Sequence, residues 1–99
     1  MNVQSEVVFE PVAYTLSACR ACGGPDQRVV TWRELREARI GEQWNACGGG
    51  SLFSHEVRAT LVFRDDKQAC LLVEDFYSEV GDSRRNDRKA MLIGFVFTD

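Results

Sequence analysis

No stretch of this chain approaches the ~20 consecutive apolar residues that a membrane-spanning helix needs. The first six residues, Met-Asn-Val-Gln-Ser-Glu, lack the basic start and apolar core of a signal peptide. A cytoplasmic chain is therefore expected, with its four cysteines present as thiols or metal ligands rather than disulfides. Charge of one sign is also scarce. A net charge of −3 does not suit an unassisted nucleic-acid binder, and it is too weak to mimic DNA. Internal repeats, linkers and low-complexity segments are absent. What remains is a chain of 99 residues, 44% apolar and 10% aromatic, enough to build one domain over residues 1–99 with its own core.

Helix signals are confined to one place. Thr31 and Glu34 have the spacing of a capping box, in which the Thr31 hydroxyl accepts from the Glu34 amide and the Glu34 carboxylate accepts from the Thr31 amide. Val30 and Leu35 are placed to close a hydrophobic staple across that start. The expected helix runs from Trp32 toward Cys47. Its apolar phase slips at Gly41, where it ends or bends, and the run Gly48-Gly49-Gly50 stops it.

Everything else reads as strand or turn. Residues 7–16 are β-rich, with Val7, Phe9, Pro11 and Ala13 in phase, and Pro11 marks an edge strand or a bulge. Residues 53–63 alternate, with His55, Val57, Ala59, Leu61 and Phe63 on one face and Glu56, Arg58 and Thr60 on the other. The polar tetrad Arg64-Asp65-Asp66-Lys67 turns the chain, and its turn type stays open. Residues 68–77 contain Ala69-Cys70-Leu71-Leu72-Val73, apolar on both faces as in a central strand. A charged loop is expected over 81–89, then a last strand with Met91, Ile93, Phe95 and Phe97 in phase. The fold class that follows is α+β: an antiparallel sheet of about four strands, in the order β-α-β-β-β, packed by one helix in two layers.

Four groups of residues could carry chemistry. Cys19-x-x-Cys22-Gly23 has the spacing and tight turn of half a zinc site, and Cys47 with His55 or Cys70 could complete four ligands. The same residues also read as free loop thiols, with Cys47 and Cys70 packed as small apolar side chains. A thioredoxin-type role fits poorly, because Gly23-Gly24-Pro25 and more separate Cys22 from the helix start. His55 with Cys47 or Cys70 and Asp75 can be written as base, nucleophile and orienter, although no spacing compels it. Glu74, Asp75, Glu79 and Asp82 read as a solvated acidic edge, without nuclease or calcium-loop spacing. The one basic run holds Arg84, Arg85, Arg88 and Lys89, cations that could grip a carboxylate-rich surface or phosphates. No aromatic residue interleaves with them, against a single-strand-binding platform. The triple glycine lacks the lysine of a phosphate loop.

No reaction assembles from these parts, so a non-enzymatic module is expected. Compact, acidic, single-domain chains without a catalytic set are typical of phage and plasmid inhibitors, anti-CRISPR proteins among them. The leading expectation is an inhibitor, immunity or regulatory protein that binds a protein partner through Arg84, Arg85, Arg88 and Lys89. It needs no cofactor, or one structural zinc on Cys19, Cys22, Cys47 and His55. Direct nucleic-acid binding and membrane contact are not expected, and a homodimer stays open. The alternatives are a zinc-stabilised module touching nucleic acid or a nucleoprotein through the basic hairpin loop, and a small thiol enzyme using Cys47 or His55.

Overall fold

The computed structural model describes residues 3–9, 13–20, 26–79 and 82–97. The capping box forms as the spacing predicts: Glu34 N donates to Thr31 Oγ1 at 3.1 Å and Thr31 N donates to Glu34 Oε2 at 2.8 Å. It opens a helix, α1, of six residues only, Trp32–Glu37, which buries Trp32 and Leu35. Ala38, buried as well, already has extended backbone, and Gly41 turns the chain with φ +94. The remainder of the expected helix is a strand, Gln43–Gly49, in which Trp44 and Ala46 are buried and Gln43, Asn45 and Cys47 are exposed. That is a correction with a simple cause. Trp44 and Ala46 stand two apart, a strand period, and Gly41 supplies the left-handed turn that a continuing helix would not need.

The strands are β1 (Val3–Phe9), β2 (Ala13–Ala18), β3 (Asp26–Thr31), β4 (Gln43–Gly49), β5 (Phe53–Arg64), β6 (Gln68–Glu79) and β7 (Asp82–Val96). A five-stranded sheet has the order β1-β7-β6-β5-β4, and β2 pairs with β3 in a separate two-stranded sheet. All pairings between the described strands are antiparallel except β1 with β7. The fold is thus predominantly antiparallel sheet with one short helix. It has more strands than expected, and the second layer is mostly the β2–β3 ribbon rather than a long helix. The expected first strand over 7–16 is divided between β1 and β2, with Pro11 lying between them outside the described residues.

The meander over β5, β6 and β7 forms as the alternation predicts, and β6 is central. Val57, Ala59, Leu61, Ala69, Leu71, Val73, Ile93 and Phe95 are buried on its inner face, against Leu16, Val30, Trp32 and Leu35. Trp32 meets Phe95 edge-on at 5.0 Å between ring centroids and Phe97 at 6.0 Å. Two details depart from the alternation. A register shift after Leu61 leaves Val62 as an extra residue, so Phe63 pairs with Cys70 and is exposed. Leu72 is half-buried, because no described element covers the outer face of β6. The turn between β5 and β6 is set by Asp65, whose Oδ1 accepts from the amides of Lys67 and Gln68. Among the described residues no helix is long and apolar enough to cross a membrane.

Candidate functional site

The inner face of β5 and β6 changes character where the apolar rows end. Continuing the inward series Leu61, Ala59 and Val57 brings His55. Continuing Leu71 and Val73 on β6 brings Asp75 and Tyr77, which pair with Val57 and His55 respectively. His55 is the hinge of this cluster. Its Nε2 lies 2.6 Å from Asp75 Oδ1, its Nδ1 accepts from the Cys19 amide at 2.8 Å, and its side chain is 9% exposed. Because Nδ1 accepts, Nε2 is the protonated nitrogen and donates to Asp75 Oδ1. Tyr77 packs edge-on against the imidazole, and Phe53 stacks on Tyr77.

The Cys19 amide reaches His55 because the chain after β2 crosses over β4. Arg20 forms an isolated bridge with Gly49, and Asp26 Oδ2 accepts from the Cys47 amide. A Cβ on Gly48 would fall on the Cys19 carbonyl. That glycine is therefore a crossing point of two backbones, not part of a helix stop, which corrects the expectation for the triple glycine.

These contacts place the expected metal ligands. Cys22 lies outside the described residues. Cys47 pairs with Glu56 and shares its outward face, whereas His55 is turned to the other face of the sheet with both ring nitrogens engaged. Among the described residues no three histidine, cysteine or acidic side chains converge as a metal would require. The Cys-His-Asp arrangement is brought together in part: His55 and Asp75 pair, but Cys47 is on the opposite face. The Cys70 thiol is pushed up by burial, away from the thiolate form.

On the outer face, Phe76 lies between two guanidinium groups, Arg58 at 5.2 Å and Arg88 at 5.3 Å from its ring centroid. Arg58 also donates to Glu56 Oε1 at 3.0 Å, and Arg88 donates to Glu74 Oε2 at 2.9 Å. Cys47, Glu56, Phe76 and Arg88 border an open groove of ≈ 600 Å³. Periodicity could not reveal this ladder, since it is built from polar residues on three strands.

The basic run departs from the expected loop. Its backbone belongs to β7, which begins at Asp82, and Arg88 and Lys89 pair with Phe76 and Asp75. Alternation puts those two on opposite faces. The ladder is interrupted just before them: Tyr77 pairs with Asp87 but Glu79 with Asp82, so residues 83–86, Arg84 and Arg85 among them, stand opposite Ser78 alone. On the other side of β7, the described residues of β1 pair from Ala90 onward. No family model matches the chain, and neither a curated protein nor a solved structure does.

Proposed function

We propose that the chain is a small non-enzymatic protein-binding module, an inhibitor, immunity or regulatory protein of the phage or plasmid kind, anti-CRISPR-like in blocking a nucleic-acid-processing complex. The observation that carries this reading is the interruption at residues 83–86. Four residues oppose one, in a strand that no described residue of β1 covers at that level. Such bulges re-aim a strand and free it from ladder constraints, and this one holds Arg84 and Arg85 within the chain's one basic run. Guanidinium groups make bidentate contacts with carboxylates, so the surface they fit is an acidic face of a partner protein. The commitment of both His55 nitrogens to Cys19 and Asp75 supports the non-enzymatic side of the reading. A general base needs a free nitrogen facing its substrate.

The test is capture of the partner from host extract by the tagged chain, followed by titration of the purified pair. Arg84→Glu with Arg85→Glu should leave the melting temperature nearly unchanged and weaken binding, with the larger loss at low salt. Wild-type affinity in that variant would remove the basic run from the interface.

A further inference from the structure

One flank of β7 is open where the basic run lies. Toward β6 the register is unbroken from Asp87–Tyr77 to Val96–Gln68, and just beyond it the Phe97 amide donates to the Lys67 carbonyl at 2.8 Å. Main-chain groups alternate in direction along a strand, so the odd-numbered residues of this stretch turn theirs toward β6. The N–H and C=O of Arg88 therefore point the other way, to the flank that β1 occupies from Ala90 onward. No described residue of β1 reaches them. At residues 83–86 the ladder with β6 is itself interrupted, which releases main-chain groups on that side too.

The other edges of the sheet differ. At the far side, the chain after β2 closes part of β4: Arg20 bridges Gly49, and Asp26 Oδ2 accepts from the Cys47 amide. β1 presents its own outer edge over Val3–Phe9, with Glu6 as its one charged residue.

We propose that the protein partner docks by adding an extended, acidic segment to the sheet, alongside residues 83–88 of β7 and end to end with β1. This mode of docking rests on the reading of Arg84 and Arg85 as the partner site. Main-chain hydrogen bonds to the open flank hold the segment, and its side chains at alternate positions meet the charge of β7. Arg88 is already met by Glu74 at 2.9 Å, and Lys89 stands opposite Asp75. Within residues 83–86 the two arginines are the only charged residues, so they set the sign of what is admitted. Charge on an open edge ordinarily keeps other strands away. Two adjacent cations exclude neutral and basic strands and admit one that carries carboxylates. The partner therefore needs an extended acidic segment with free main-chain groups, and an acidic surface alone does not suffice.

The probe is an acetylated, amidated eight-residue peptide of alternating threonine and glutamate, titrated into the whole chain. Its twin carries a methyl group on every main-chain nitrogen, so the charges stay and the donors are lost. Amide hydrogen exchange, followed residue by residue by nuclear magnetic resonance, is the readout. With saturating peptide the Arg88 amide should exchange about tenfold more slowly, together with amides of residues 83–86. Asp87 and Lys89, whose amides face β6, should change little. The twin should produce no such slowing. A twin that binds as tightly as the parent overturns strand addition and leaves the acidic contact at Arg84 and Arg85 in place. Slowing at Val3–Phe9 in place of Arg88 overturns it too, because the segment then adds to β1. No binding by either peptide at millimolar concentration also overturns it, while titration with the purified partner decides the acidic-face reading separately.

Discussion

Glu34 shows how much one side chain can organise. Its carboxylate closes the capping box on the Thr31 amide and accepts from Arg28 Nη2 at 2.7 Å. The Arg28 hydrogen bond first, and the Thr31 amide second, hold its pKa below the ordinary 4.5. An unfolded Glu34 takes up a proton near 4.5, whereas the folded one resists until lower pH. The stabilisation is therefore present above 4.5 and is lost as pH falls through the depressed folded value. Both partners are more than a third exposed, so solvent screening keeps the effect small. Glu34→Gln should lower the melting temperature modestly at neutral pH, and the gap from wild type should close in acid well below 4.5. A gap that persists unchanged in acid would mean the charge of Glu34 contributes nothing.

Among the elements, β6 decides most, since it joins β5 to β7 at the middle of the sheet. Its two adjacent leucines have different surroundings. Leu71 is fully buried between Leu61 and Ile93, whereas Leu72 is half-buried beside Leu92 on the outer face. Leu71→Ala should cost about 2–5 kcal/mol, the range for a buried leucine that leaves a cavity. Leu72→Ala should cost clearly less. Urea unfolding of both variants checks this, and equal losses would show that the outer face is covered. The same element explains why the basic run reads as a loop in sequence and forms a strand in the structure. Seven charged or polar residues in succession, 82–88, carry no period-2 signal, yet β6 offers them a template whose register resumes at Asp87.

At the scale of the molecule, the first strand pairs with the last. β1 lies beside β7 in parallel register from Val3–Ala90 to Phe9–Val96, and the β2–β3 ribbon packs on strands that come later in the chain. The other strand pairings join consecutive strands, but β1 with β7 and the packing of the ribbon form only when distant segments meet, so loop-closure entropy opposes them early. Folding should take milliseconds to seconds, as for other small sheet proteins that must close such long-range contacts. Stopped-flow refolding followed by the fluorescence of Trp32 and Trp44, both buried, measures it. Microsecond refolding would mean that local structure carries more of the stability than this topology implies.

Local chemistry in the sequence determined the capping box at Thr31 and Glu34, the meander from residue 53 and the inward rows of β5, β6 and β7. Each depends on neighbours within a few positions, and a periodic pattern records those directly. Tertiary structure decided the rest. Val30, Trp32, Leu35 and Ala38 fit a helix start, but whether the chain continued as helix through Trp44 depended on burying Trp44 and Ala46 together, which only the pairing of β4 with β5 allowed. Gly48 signals a close approach without naming what approaches, and only the folded chain supplies Cys19. Asp75 could be named beside His55 from the sequence, but no local pattern compels that pair or brings the Cys19 amide to the ring, because those partners are 20 and 36 residues away. Which face of the sheet remained open was likewise settled by where the β2–β3 ribbon came to rest, a long-range contact that no local pattern encodes.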